Sequence, residues 1–294
     1  MSFYIDIEPL NGGPVKKNPF FLLLAISFSA ILFACAGHNN GPFPDHINLS
    51  DPTPAEQAMH AAEFRTMDSL AQIGLALAMQ DGLAWIASDS ISVDFSESRL
   101  RELSGWVAQG NVDDGFCLFY GKTDSGFVQI ARYDFVGGAI NRSLGKIDIP
   151  EGKIYDLVKM NDSANTFFNN SSARLNIRYN SYILEKDGKY TYYAMPATTG
   201  EYAVYGGAVK LSMGENSWNL ELLHKSPIPL KWKDITGDNI GARTSSMGDL
   251  LNEADFAQYY ITWNAAPQQI IQTKKYTILL ARNNKGQMSI MVAK

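Results

Sequence analysis

The sequence predicts an α+β protein in which amphipathic helices pack on antiparallel β-meanders. Three observations carry this expectation. Apolar residues recur at helical spacing in two stretches, Met59–Leu77 and Ile154–Phe168. Segments such as Leu175–Ile183 alternate apolar with polar side chains, as half-buried strands do. The loops joining consecutive strands are of turn length, which builds meanders. Helix plus meander occurs twice, over residues 53–150 and 151–294, the second unit closing with a short helix and a hairpin. Residues 53–294 also fit a single domain.

At the front of the chain, Lys16–Cys35 (KKNPFFLLLAISFSAILFAC) reads as an export signal: two lysines, a mostly apolar run Phe20–Phe33, then small residues around a cysteine. The run is shorter than the roughly 20 residues that span a bilayer and holds Ser27 and Ser29, which favours cleavage over retention as an anchor. Leu32-Phe33-Ala34-Cys35 resembles the lipobox of bacterial lipoproteins, with Phe33 where that family usually has a smaller residue. The resemblance implies that Cys35 is acylated through its sulfur and becomes the new N-terminus. Stable anchoring takes at least two lipid signals, and acylation of this kind adds more than one chain. Ala34-Cys35-Ala36 also fits the A-x-A cut of an ordinary secretory signal, which would discard the cysteine. The first reading holds the protein by a lipid on the periplasmic side of the bacterial envelope, and the second leaves it soluble in the periplasm. Met1–Pro14 carries Asp6, Glu8 and a Gly-Gly-Pro and fits no part of a signal. It reads as untranslated, with Val15 as the start if its codon is GTG, or as a disordered tail. Ala36–Pro52 is rich in Gly, Asn and Pro and reads as a flexible tether, whose His38, Asp45 and His46 lack the fixed geometry of a metal site.

Composition narrows the classes. A net charge of −5 with no Lys/Arg run argues against nucleic acid and against an electrostatic membrane-binding face. There are two cysteines, Cys35 and Cys117; with Cys35 acylated or removed no intramolecular disulfide can form, and the fold must rest on its core. Cys117, within Phe116–Tyr120, reads as a small buried hydrophobe.

The elements follow in order. Thr53-Pro54-Ala55-Glu56 starts a helix as a capping box with proline at the first helical position. Met59, Met67, Leu70, Ile73 and Leu77 form its stripe, Ala62, Phe64 and Gly74 lie at the margins, and Gly82 offers a stop. Ser96–Leu103 predicts a short second helix. Phe116–Gly121 and Phe127–Phe135 predict a hairpin over Lys122–Gly126, and Asp113-Asp114-Gly115 reads as a turn, not a calcium loop. After the helix over Ile154–Phe168 come strands at Leu175–Ile183, Tyr190–Met195, Tyr202–Met213 and Trp218–Lys225, with a turn in Glu185–Lys189. Thr244 or Ser245 then caps a short helix over Met247, Leu250, Leu251 and Ala254; Tyr259, Ile261 and Trp263 alternate as a strand; and Asn283–Gly286 turns Tyr276–Arg282 into Gln287–Ala293.

Within the middle meander, Arg178-Tyr179-Asn180, Asp187-Gly188, Ala197-Thr198-Thr199 and Val204-Tyr205-Gly206-Gly207 resemble a pattern in uncharacterised exported bacterial proteins. Those proteins commonly carry a histidine after the paired glycines, where this chain has Ala208. The resemblance, over about Arg178–Lys225, implies an exported helix-and-meander protein.

No G-x-S-x-G, H-E-x-x-H, Walker loop or C-x-x-C is present, and no cofactor motif. Of four histidines, His38 and His46 lie in the tether, His60 on the first helix, and His224 at a strand end, where it reads as a rim residue. A Ser245/His224/Asp238 grouping can be written, with nothing in the sequence to bring it together. Seven tyrosines crowd the middle meander. Because Tyr192 and Tyr193 point to opposite sides of a sheet, the sequence predicts that some face outward, and Tyr192, Tyr193, Tyr202 and Tyr205 become the candidate binding residues for an envelope protein or a glycan. The function expected is a non-catalytic binding or accessory protein of the envelope; the alternative is a hydrolase acting on envelope material, which would need His224 in a concave pocket with Ser245 or acidic groups.

Overall fold

The computed structural model describes residues 61–198, 201–215, 217–235, 241–244, 248–282 and 288–293. Its organising element is one long helix, α1 (Ala61–Asp94), which buries residues against three separate clusters. Gly82 does not stop it. A glycine costs about 1 kcal/mol relative to alanine in a helix, whereas each leucine or isoleucine buried beyond it contributes ~1.5–3 kcal/mol, and Leu83 and Ile91 are both buried there. The expected stripe was too narrow for the same reason: Met67, Ala71, Leu75 and Ala78 face one cluster, Leu77 a second, and Leu83, Ala84, Ala87 and Ile91 a third. Arg65–Asp94 has the length and hydropathy of a membrane span, but half of its most apolar window is buried inside the protein, as in a core helix. The expected helix start at Thr53–Glu56, together with Met59 and His60, lies outside the described residues.

A one-turn helix α2 (Glu97–Leu100) leads into sheet A, four antiparallel strands in sequence order: β1 (Gly105–Gly110), β2 (Asp114–Thr123), β3 (Gly126–Val136) and β4 (Ala139–Asp148). Thr123 pairs with Gly126, so the expected hairpin forms with Asp124 and Ser125 as its turn. The turn expected at Asp113–Gly115 falls earlier, since Asp114 and Gly115 already belong to β2: Asn111 Oδ1 accepts from the Asp113 and Asp114 amides at 2.8 and 3.0 Å and bends the chain before the strand. Cys117 is fully buried, as expected.

Helix α3 (Lys153–Asn169) precedes sheet B, whose order is β5 (Tyr179–Lys186), β6 (Lys189–Pro196), β8 (Val209–Met213), β9 (Trp218–Leu222). The intervening strand β7 (Tyr202–Gly206) leaves the sheet and pairs with β10 (Pro227–Lys231). Tyr202–Met213 is therefore two strands in two sheets. Gly206 and Gly207 both adopt positive φ, and a Cβ on Gly206 would meet the Ser226 carbonyl at 2.6 Å, so the chain turns where only glycine fits. Pro227 and Pro229 limit β10 to a two-stranded ribbon, since neither can donate to a ladder.

A short helix α4 (Trp232–Ile235) follows, and the last sheet runs β11 (Gly241–Thr244), β12 (Gln268–Gln272), β13 (Thr277–Arg282), β14 (Met288–Ala293), with β11 parallel to β12 and the rest antiparallel. Thr244 is thus strand, not a helix cap. Helix α5 (Glu253–Thr262) absorbs the Tyr259/Ile261 stretch expected to be a strand, with Trp263 as its C-cap residue. Asn252 caps it: its side chain accepts from the Ala254 and Asp255 amides while Asp255 reaches back to the Asn252 amide. Ser245, Met247 and the Asn283–Gly286 turn lie outside the described residues.

Sheets A and B are joined at β1 and β5, where Trp106 meets Tyr182 edge-to-face at 5.8 Å and Gln109 Nε2 donates to the Ile183 carbonyl. Both carry packed elements on each face. On one side Leu157 and Val158 of α3 pack on Leu118 and Tyr120, and Ala164 and Phe168 pack on Tyr192 and Leu211. On the other, α1 covers Phe119 and Tyr133 of sheet A, and with Ala254 and Ala257 of α5 it covers Tyr193 of sheet B. Tyr192 and Tyr193 do point to opposite sides, but both sides are interior: they are 1% and 2% exposed.

Candidate functional site

The polar residues that could carry chemistry gather along α5. Its cap brings Asp255 to the end of β9, where Asp255 Oδ1 lies 3.1 Å from His224 Nε2. His224 Nδ1 accepts the Ala208 amide at 3.3 Å, which leaves Nε2 to donate to the carboxylate. Asn252 Nδ2 donates to the Leu223 carbonyl at 3.3 Å. One residue along, Glu253 Oε1 accepts from Lys210 Nζ at 2.7 Å and from Tyr193 Oη at 3.0 Å. A turn further, Gln258 takes the Gly206 amide at 3.0 Å and donates back to its carbonyl, so one side chain completes a strand end as a neighbouring strand would. Thr262 Oγ1 accepts from Tyr205 Oη at 3.0 Å and from Gln269 Nε2 at 2.8 Å.

This seam is sealed. His224 is 3% exposed, and Glu253, Asp255, Gln258, Thr262 and Gln269 are buried with it. A buried polar group without a partner costs about 1–3 kcal/mol, and here the groups pair across the gap between helix and strand ends, apart from Gln269 Oε1, which is buried without a partner. The seam locks α5 onto β7, β8 and the end of β9. His224 is therefore an interior strut, not a rim residue, and its carboxylate partner is Asp255; Ser245 and Asp238 lie outside the described residues. Asn252-x-x-Asp255 was the sequence signal for this arrangement, a capping box that fixes where α5 begins.

Comparison with protein-family models, with curated proteins and with solved structures finds no match.

Three of the four candidate binding tyrosines are structural. Tyr192 Oη donates to Asn165 Oδ1 at 3.1 Å, Tyr193 to Glu253, and Tyr205 to Thr262; Tyr202, at the start of β7, is half-buried. Burial pushes the phenols of Tyr192 and Tyr193 up. None of these three faces outward: helices cover both faces of sheet B over Tyr192 and Tyr193, and Tyr205, on the β7–β10 ribbon, is buried against Ala266. Cys35 lies outside the described residues. Among the described residues no three His, Cys, Asp or Glu side chains converge as a metal site requires.

One depression that opens to solvent lies on sheet A, beyond the reach of α3. Gln109, Phe116 and Asp134 line up across β1, β2 and β3, and Arg132 lies one step further along β3 on the same face. Arg132 Nε and Nη2 donate to Asp134 at 2.8 and 2.7 Å, and its guanidinium carbon stands 4.6 Å from the centre of the Phe116 ring. With Asp114 and Val136 these residues line a depression of about 300 Å3.

A third polar group belongs to the helix itself. Asp81 of α1 accepts from Tyr182 Oη at 2.7 Å and Asn180 Nδ2 at 3.1 Å, both neutral donors. Desolvation raises its pKa against the lowering effect of the Tyr182 bond. A carboxyl whose folded pKa exceeds its unfolded value stabilises at low pH, and that contribution is lost as pH rises through the folded pKa. Asp81→Asn keeps an acceptor for Tyr182 and removes the buried charge. Its denaturation midpoint is expected to exceed the wild-type value at pH 8 and to approach it at pH 4; a difference independent of pH between these limits would contradict this account.

Proposed function

We propose that this chain is an exported protein held in the bacterial envelope by a lipid on Cys35, and that it works by binding and not by catalysis. The anchor is supported by Lys16–Lys17, the apolar run Phe20–Phe33 and Leu32-Phe33-Ala34-Cys35. The observation that carries the binding reading is the state of His224. Its ring is 3% exposed, one nitrogen is occupied by the Ala208 amide and the other by Asp255, and the carboxylates beside it are spent on a helix cap and on Lys210. A general base must come within hydrogen-bond reach of a substrate proton, and this one is enclosed by the fold. The open surface on sheet A, which sets Arg132 and Asp134 among apolar side chains, suits recognition, which asks only for complementary contacts.

Two measurements test the parts separately. Intact-mass analysis of the membrane fraction is expected to give a chain beginning at acylated Cys35, and Cys35→Ser is expected to lose the acyl mass and leave that fraction. An unmodified chain starting at Gly37 would overturn the anchor. Crosslinking in the intact envelope followed by purification is expected to retain an envelope component; hydrolysis of envelope polymer by the pure protein would overturn the binding reading.

A further inference from the structure

We propose that the depression on sheet A binds a neutral saccharide through a pair of adjacent ring hydroxyls, an inference that rests on the binding reading and gives it a site and a ligand class. A guanidinium offers two forked edges. Asp134 takes the one formed by Nε and Nη2, and the end formed by Nη1 and the second Nη2 hydrogen keeps its two parallel donors without a partner among the described residues. Phe116, stacked at 4.6 Å, holds the guanidinium plane in place. Arg132 and Asp134 are 27% and 34% exposed, so both reach solvent from within the depression. Each hydroxyl of a sugar both donates and accepts. A neighbouring pair of hydroxyls can accept from the free fork and donate to Asp134 or to Gln109 Oε1, whose Nε2 is occupied by the Ile183 carbonyl. Val136, 58% exposed at the rim, offers apolar surface for ring C–H groups.

Charge selects against the other ligand classes. Arg132 is neutralised by Asp134, and Asp114 also lines the depression, so a carboxylate or phosphate would meet two like charges and no uncompensated cation. A peptide strand gains its affinity from unpaired backbone at a sheet edge, whereas this depression lies on a sheet face whose strands β2 and β3 are paired on both sides. The rim is also built in advance. The amides of Gly137 and Gly138 donate to the carbonyls of Asp113 and Val112 at 2.8 and 3.1 Å, tying the β3–β4 turn to the loop before β2, so little ordering accompanies binding. The volume, about 300 Å3, stands at the lower end of small-ligand sites, as suits one or two sugar rings.

The experiment titrates the full chain, solubilised from membranes, with cellotriose, maltotriose and mannotriose, and with trigalacturonate and tetra-alanine as charged and peptide probes, followed by calorimetry and saturation-transfer NMR. Saturable binding of at least one neutral trisaccharide is expected, weakened about tenfold or more by Arg132→Lys, which keeps the charge and loses the fork, and by Asp134→Asn. The melting temperature of both variants should stay near the wild-type value, because a partly exposed ion pair contributes at most about 1 kcal/mol. Absence of neutral-sugar binding, a preference for trigalacturonate or tetra-alanine, or sugar binding indifferent to Arg132→Lys would each overturn the site. Crosslinked recovery of an envelope component by the Arg132→Lys variant at wild-type yield would also sink the site while leaving the binding reading intact; no recovery by the wild type would remove that reading itself.

Discussion

Valine in place of Gly74 is expected to cost roughly 3 kcal/mol or more, the upper end of what overpacking does. Gly74 lies where α1 crosses α5. A Cβ there would stand 2.5 Å from the Phe256 Cβ, 2.8 Å from the Ala257 amide nitrogen and 2.8 Å from the Glu253 carbonyl oxygen. Two of these atoms are backbone and the third is a Cβ fixed to it, so none can swing aside. Alanine is the sharper test of the argument. In a helix it would stabilise by about 1 kcal/mol over glycine, so any net loss measures the clash against a known opposing term. Both variants should lower the denaturation midpoint, valine the more. An alanine variant as stable as wild type would mean that the two helices separate freely and that the crossing is not tight.

Tyr192→Ala and Tyr193→Ala should each cost about 3–5 kcal/mol, the usual loss for truncating a large buried aromatic. At roughly 2–4 °C per kcal/mol for a domain of this size, the melting temperature should fall by on the order of ten degrees in both. Were one of them a surface residue, its variant would melt within a degree or so of wild type, and that outcome would contradict the two-sided covering of sheet B. The phenylalanine variants separate ring from hydroxyl. Tyr193→Phe removes a donor from the buried carboxylate of Glu253, and bonds to charged groups contribute about 1.5–3 kcal/mol. Tyr192→Phe removes a neutral bond to Asn165, for which about 0.5–1.5 kcal/mol is expected, so Tyr193→Phe should be the more damaging.

Local pattern and tertiary burial agree in some elements of this chain and disagree in others. The helix over Ile154–Phe168 was legible because α3 lays its apolar face on the sheets and turns a polar face to water, so Lys153–Asn169 keeps a clean stripe. Helix α1 has no such contrast, and its stop was misplaced at Gly82 because a helix with apolar neighbours on several sides shows no single stripe to follow. Tyr259, Ile261 and Trp263 alternate with Tyr260 and Thr262, yet all of these are buried save Ile261, which is half-buried, so the alternation carried no information about faces. The parallel pairing of β11 with β12 joins segments distant in the chain, and no local signal records it.

From the sequence alone came what depends on neighbours within a few residues: the export signal ending at Cys35 as an expectation, the α+β class, the hairpin turns at Asp124–Ser125 and Asp187–Gly188, and the burial of Cys117. Tertiary structure decided what depends on the second face of each sheet. It turned Tyr192 and Tyr193 of β6 into core by placing α3 on one side and α1 with α5 on the other, and it enclosed His224 by carrying Asp255 to the end of β9. It also left the Arg132–Asp134 end of sheet A uncovered, because α3 packs on Leu118 and Tyr120 and reaches no further along that face. Strand alternation says which side chains share a face; whether that face meets water or another layer is set by elements far away in the chain.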